Sequence, residues 1–176
     1  SLHDALPICG DALTNRTLAL LHGVRVLPSA DAVDVAEYAA VVDALYGTGL
    51  NHAIEGDAAI LIHRLSDHPQ IPVIAVDIPS GLDGTTGRAL GADVVRAAET
   101  VTFHRIKQGL LLRQGVEYTG KITVQPILIR PGDDIDLGFG GLETLSPAAL
   151  APLFARTPAL HKGDCGRAVI FCGSRG

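Results

Sequence analysis

Basic residues are in short supply: 14 Lys and Arg stand against 19 Asp and Glu, a formal net charge of −5. Neutralising nucleic-acid phosphates takes a surplus of Lys and Arg on one face, so nucleic acid is not an expected partner. Cysteine is just as sparse. Cys9, Cys165 and Cys172 are odd in number and far apart, unlike the even, closely spaced framework of a secreted disulfide domain, and a reducing cytoplasm is the expected setting. No run of about 18 uninterrupted apolar residues exists. Ser1 to Ile8 also lack the basic start and apolar middle of a signal peptide, so neither a membrane span nor a leader is expected. No segment repeats another.

What is present is apolar residue and glycine. Of 176 residues 47% are hydrophobic, 19% are charged and 20 are Gly, which suits one compact α/β domain with many tight turns. The length allows one sizeable core and no second complete domain. A homo-oligomer is compatible with this composition.

Residues 1–9 show no period and stay unassigned. Over 10–130 helical and strand patterns alternate. Ala12, Leu13, Leu18, Leu20 and Leu21 fit a helix over 12–22 that Gly23 stops, before a short strand Val24 to Leu27. Ala39 to Leu45, interrupted by Asp43, reads as a strand covered on both faces that ends at a polar edge. Ile54, Ala58, Leu61, Ile62 and Leu65 recur at helical spacing, and an apolar strand Ile71 to Val76 follows Pro69. Ala92 to Ala98 reads as another short helix, then Val101 to Phe103 and Ile122 to Ile129 as strands. Alternating elements predict an α/β fold, a Rossmann-like, mostly parallel sheet covered by helices. Residues 131–160 are rich in Gly and Pro and read as a linker carrying one short helix. A new unit is expected over 161–176, where Arg167 to Cys172 is strand-like.

In open α/β sheets, ligands bind beyond the carboxyl ends of the strands. Two loops fall there. Asp43 ends one strand ahead of Gly47 and Gly49, whose freedom lets backbone amides approach an anionic ligand. Asp77 ends another, followed by Pro79-Ser80-Gly81. Either loop alone reads equally well as a strand end whose Asp or Ser caps a helix or holds a turn. On consecutive crossovers they place two carboxylates at one crevice. Neighbouring carboxylates repel unless protonated or bridged, and a hard cation takes oxygen ligands, so a bound cation is an expectation.

Two other patterns carry less. Gly115-Val-Glu-Tyr-Thr-Gly120-Lys121 mimics a phosphate loop, but Ile122 replaces the required Ser or Thr and a strand follows where a helix should. His161, Cys165 and Cys172 match no zinc-knuckle spacing and have no evident fourth ligand, so ordinary thiols are the expectation.

From about Gly10 to Ile129 the sequence resembles the NAD(P)H-hydrate epimerase family, carrying DALYGTGL from Asp43, AVDIPSGLDGTTG from Ala75 and ADVVRAAETVTF from Ala92 in order. The resemblance implies that Asp43 and Ser80 ligate a potassium ion. It implies further that Gly47, Thr48, Gly49, Leu50, Asn51, His52 and Ala53 contact the hydrated cofactor, and that Asp77 contacts it near the reacting ring. Lys107 and Gly109 stand at the family's Lys-x-Gly place and receive no catalytic role. A second resemblance begins at His161-Lys-Gly-Asp164-Cys-Gly-Arg167 with Val169 to Ser174: this looks like the entry to the NAD(P)H-hydrate dehydratase domain, a ribokinase-like α/β fold that uses ADP or ATP. Cys165 stands where an aromatic is common and Cys172 where a glycine is.

The epimerase family also carries an Asn-Asn-Gly-Gly-Asp-Gly loop that supplies another cation ligand, and nothing in residues 1–42 matches it. The chain is therefore expected to be the later half of an epimerase domain joined to the opening of a dehydratase domain. The implied activity is nicotinamide nucleotide repair: interconversion of the S and R forms of NAD(P)H hydrate, with the bifunctional parent dehydrating the S form. Loss and return of water through a cationic intermediate would scramble the ring carbon. Asp77 is the candidate for proton transfer or for stabilising that cation. The competing classes are a non-catalytic nucleotide-binding module and, from the kinase-like fold alone, a nucleotide-dependent kinase.

Overall fold

The computed structural model describes residues 10–129 and residue 148. The unassigned start, the 131–160 linker apart from Ala148, and the 161–176 unit with His161, Cys165 and Cys172 lie outside the described residues.

The first periodic segment forms helix α1, Gly10–Leu21. None of its residues is buried, and Leu13, Leu18, Leu20 and Leu21 are exposed. The strand expected at Val24 to Leu27 is absent. Val24 N–H instead closes the end of α1 on the Ala19 carbonyl at 2.9 Å, and Val24 and Val26 are exposed with no neighbouring strand among the described residues to make a ladder. Short 3₁₀ turns follow at Ala30–Ala32 and Val35–Glu37.

Next come strand β1 (Val41–Asp43), helix α2 (Gly56–Ser66) and strand β2 (Val73–Val76), the expected crossover. The helical stripe works as its spacing implies. Ile62 buries against Ile54, Val73 and Val95, with Leu50, Ala58 and Leu65 packed around them. Each fully buried aliphatic side chain contributes roughly 1.5–3 kcal/mol. Arg64, in the last turn of α2 where a cation suits the helix dipole, donates to the carbonyls of Ala30 at 2.8 Å and Val33 at 2.9 Å. It also pairs with Asp31 at 3.0 Å. One guanidinium thus ties the segment ahead of β1 to the helix behind it.

Strand β3 (Glu99–Phe103), helix α3 (Gly115–Thr119) and strand β4 (Lys121–Gln125) complete a four-stranded parallel sheet in the order β1-β2-β3-β4. This is the expected α/β, Rossmann-like arrangement. Two details differ. Val42, on β1, is 64% exposed and Ile74 on β2 is exposed beside it, so among the described residues β1 is covered on one face only. Ala92 to Ala98 is irregular, not helical. Val95 N–H donates to the Ser80 carbonyl, Ala97 N–H to Tyr118 and Ala98 N–H to Val73, at 2.7–2.9 Å. Val94 and Val95 meanwhile enter two different apolar clusters. Two neighbouring residues buried in separate cores need opposed side chains, which a strand-like backbone gives and a helix does not.

No helix among the described residues is long and apolar enough to cross a membrane.

Candidate functional site

Because the strands are parallel and Asp43 lies opposite Ala75, both aspartates fall at the carboxyl edge of the sheet. The chain leaves β1 through Asp43 into an exposed loop and leaves β2 through Asp77 into a buried turn.

The Asp43 side of this edge is closed by direct bonds. Asp43 is 3% exposed and Ser80 is 1% exposed. The Ser80 hydroxyl donates to Asp43 Oδ1 at 2.7 Å and the Ser80 N–H to Oδ2 at 2.8 Å. Leu45 N–H reaches Oδ1 at 3.3 Å. The Ser80 hydroxyl in turn accepts from Tyr46 N–H at 3.0 Å. Gly81 makes the turn that follows: its φ is +91°, and a Cβ there would meet the Asp93 carbonyl at 2.4 Å, so no other residue fits.

Every partner of Asp43 is neutral, and no basic side chain pairs with it among the described residues. A carboxylate offers about four lone-pair sites. Three are taken here, leaving one on Oδ2, and the Ser80 hydroxyl keeps one of its own. Hard oxygens with spare lone pairs are the donors a hard cation uses, so this pair fits part of such a cation's shell. No cluster of three His, Cys, Asp or Glu exists among the described residues, which leaves carbonyls, hydroxyls and water to complete one.

The predicted ligand loop, Gly47 to Ala53, lies on the same edge. Gly47, Thr48, Gly49, Asn51, His52 and Ala53 are exposed, whereas Leu50 packs on the Ile62 cluster. A Cβ added at Gly47 or Gly49 would meet nothing within 4 Å, while one at Gly84 would meet the Thr48 side chain at 3.4 Å and one at Gly91 the Ala53 side chain at 2.9 Å. The loop after β1 therefore rests on the loop after β2 and keeps its glycines open.

Asp77 is held differently. Its φ is +69°, and Ile78 N–H donates to the Val76 carbonyl at 2.9 Å, closing a three-residue turn of the rarer, strained kind. Such outliers persist only where the surroundings over-determine them. Here three donors do so, all on Oδ1: the Thr102 hydroxyl at 3.3 Å, Phe103 N–H at 3.2 Å and the Lys107 ammonium. Burial pushes the carboxyl up, but Lys107, Phe103 N–H and Thr102 outweigh it and hold the group below its ordinary value. At neutral pH Asp77 is a carboxylate.

Lys107 is the partner that sequence patterning leaves without a role. The available signal was a lysine just past the next strand end, on the same sheet edge as Asp77. Gly109, its companion, has no room for a side chain, since a Cβ would meet the Asp83 carbonyl at 2.2 Å. Its N–H donates to Gly84 at 2.8 Å. Asp83 itself is a turn former: its Oδ1 accepts from Thr86 N–H at 2.6 Å, the Thr86 hydroxyl at 2.9 Å and Thr85 N–H at 2.9 Å.

A hollow of about 310 Å³ lies elsewhere, beside β1, lined among others by Val33, Val35, Tyr38, Leu61 and Val95. It touches Asp43 but not Asp77, Ser80 or the Gly47–Ala53 loop, and its apolar walls offer nothing to a nucleotide phosphate.

The family model for the YjeF-related protein N-terminus matches residues 8–109, a span that contains Asp43, Asp77, Ser80 and Lys107. The chain is 39% identical over 134 residues to the bifunctional NAD(P)H-hydrate repair enzyme of Pyrobaculum aerophilum, covering 76% of this chain and 25% of that protein. It is 40% identical over 94 residues to the NAD(P)H-hydrate epimerase of Weissella koreensis, covering 53% of this chain and 42% of that one. The bifunctional repair enzyme of Thermanaerovibrio acidaminovorans aligns over 94% of this chain at 33% identity, and 33% of its own length is covered. The chain thus spans between a quarter and under half of these relatives' lengths. With more than half of its residues inside the family model, and with the model's span taking in both strand-end carboxylates, the chain belongs to the family of the YjeF-related protein N-terminus.

Proposed function

We propose that this chain supplies one side of an NAD(P)H-hydrate epimerase site, in which the R and S forms of the hydrate interconvert so that a dehydratase selective for one form can use both. The names of its relatives support this reading. The observation that carries it is the Asp77 carboxylate, held ionised with every described donor on Oδ1, at the sheet edge that also carries the open glycine loop and the Asp43–Ser80 pair.

Epimerisation requires the ring C–O bond to break. The hydroxyl takes up one proton and leaves as water, the ring becomes cationic, and water returning to either face releases the proton. A carboxylate that is already ionised cannot donate that first proton. Solvent supplies it, and Asp77 offsets the developing positive charge, accepts the proton lost on water's return and passes it back to solvent, which favours the electrostatic and basic roles of Asp77 over an acidic one. Gly47 to Ala53 present backbone amides to the anionic nucleotide. Asp43 and Ser80 would hold potassium, which supplies a fixed positive charge next to the same anion. The stretch 161–176 would open the domain that, in a bifunctional parent working in the cytoplasm, dehydrates the S form with ADP or ATP.

The test is a coupled assay of R-hydrate turnover, in the polypeptide that carries this chain together with the Asn-Gly-rich loop. Slow spontaneous epimerisation is subtracted. Asp77→Asn keeps size and tolerates positive φ, yet removes the charge and the exchangeable proton. Turnover should fall at least about a hundredfold, the lower range for acid or base catalysis, with much smaller change in hydrate binding. Asp83→Asn is the control, since an amide oxygen can still accept the turn's bonds. Near-normal turnover in both would make Asp77 a structural strand end. A loss of affinity alone would make it a ligand contact with no chemical role.

A further inference from the structure

An ammonium group has three N–H donors and no acceptor. Lys107 spends all three on groups at one sheet edge: Asp77 Oδ1, the Thr102 hydroxyl at 3.1 Å and the Phe103 carbonyl at 3.0 Å. The Thr102 hydroxyl, having accepted from Lys107, points its own proton at Asp77 Oδ1, and Phe103, whose carbonyl Lys107 holds, donates its N–H to the same oxygen. Each of the two anchors of the lysine is thus also a donor to the carboxylate. Lysine and aspartate side chains are both mostly covered, 24% and 22% exposed, so solvent does little to loosen the assembly.

Further contacts fix where the lysine starts. Gly109 N–H is bonded to the Gly84 carbonyl at 2.8 Å, with no space for a Cβ against Asp83. Arg105 N–H donates to the Phe103 carbonyl at 2.7 Å around His104, whose φ is +62°. The backbone on both sides of Lys107 is pinned, and the loop after β3 is fastened to the loop after β2. A strained turn presents Asp77, and a second tight turn with positive φ precedes the lysine that meets it.

We infer that Lys107 is the positioning residue for the Asp77 carboxylate: its three-proton head clamps Oδ1 through Asp77, Thr102 and Phe103, and leaves Oδ2 as the oxygen presented to the substrate. The inference rests on the epimerase reading above. With no N–H to spare, Lys107 does not act on the substrate itself; its effect passes through Asp77. Loss of the clamp lets the carboxylate rotate, and misplacement of a reacting group by about 1 Å costs on the order of a hundredfold in rate.

A double-mutant cycle on R-hydrate turnover tests this, in the same polypeptide that carries the Asn-Gly-rich loop. Lys107→Met keeps the aliphatic stem and removes the ammonium. Its kcat should fall at least about tenfold while KM changes less than about threefold. Added to Asp77→Asn, it should cost no more than about threefold further, because a residue that acts through Asp77 has nothing left to position. A purely packing role predicts multiplied losses instead. Wild-type kcat in Lys107→Met, or multiplied losses in the double variant, overturns the inference. If Asp77→Asn is itself near normal, the epimerase role of Asp77 falls first; an impaired Asp77→Asn beside a normal Lys107→Met sinks only the clamp. Circular dichroism checks the fold. Should Lys107→Met not fold, the double variant, which strands no carboxylate, and Lys107→Arg decide. Arg keeps the charge but replaces the three-proton head with a planar fork. A kcat at least about threefold down in Lys107→Arg, with the double variant level with Asp77→Asn, supports the clamp; normal kcat in Lys107→Arg, or a double variant well below Asp77→Asn, overturns it.

Discussion

Asp43 and Asp77 end neighbouring parallel strands at one sheet edge, yet the protein surrounds them in opposite ways. Asp43 is almost fully buried and meets only neutral donors, from Ser80 and Leu45. Asp77 is more open and carries its own cation, Lys107. A buried charge without a counter-charge is costly unless hydrogen bonds or an added ion compensate it. The first corner is therefore suited to taking a cation from outside, and the second is already neutralised. Two aspartates that look alike in sequence differ in what each still lacks.

The largest expected effect strikes the first corner. Asp43→Ala strands the Ser80 and Leu45 N–H groups and opens the joint between β1 and the Pro79-Ser80-Gly81 turn. It should cost about 3–4 kcal/mol of unfolding free energy in urea titration. A loss below about 1 kcal/mol would mean that the joint does not hold the edge together.

Next is the cation. In the polypeptide that carries the Asn-Gly-rich loop, potassium at about ten times its dissociation constant should stabilise by about 1.4 kcal/mol over an equal concentration of a large organic cation. Ser80→Ala should abolish that difference and Asp77→Asn should keep it. A potassium response that survives Ser80→Ala would move the ion away from Asp43. In the isolated 176 residues the response should be weaker, because on the epimerase reading that loop would supply part of the shell.

The smallest effect is electrostatic and belongs to the second corner. The Asp77 carboxyl is held below its ordinary value of 3.8, so the folded state binds the proton less tightly than the unfolded chain does. That stabilisation is fully present above the ordinary value and is lost as pH falls through the lowered one. Asp77→Asn should cost at most about 1 kcal/mol near neutral pH, with the gap to wild type closing below about pH 4 in thermal unfolding. A gap that stays constant with pH would show that Lys107 does not stabilise the ionised form.

Periodicity carried much of the fold. The stripe through Ala58, Ile62 and Leu65 became α2, with Ile54 packed on it from just ahead of the helix, because one apolar face must be buried somewhere, and β2 after Pro69 supplied the place. The strand ends at Asp43 and Asp77 were legible for a related reason: a polar residue closing an apolar run marks where the covered sheet stops. Val24 to Leu27 and Ala92 to Ala98 went the other way. Each had the local composition of its expected element, but a strand needs a partner and a helix needs its own backbone donors. The first found no neighbouring strand among the described residues, and the second gave its N–H groups to Ser80, Tyr118 and Val73.

At the site, the sequence by itself determined which residue types stand at the sheet edge: two carboxylates, a serine turn and glycines free of side chains. Only the tertiary structure decided which carboxylate would own a counter-charge. Lys107 lies 30 residues from Asp77 and Ser80 lies 37 from Asp43, separations over which no local period operates. Their pairing follows from parallel strands that bring successive loops to one end of the sheet, where contacts distant in the chain become nearest neighbours.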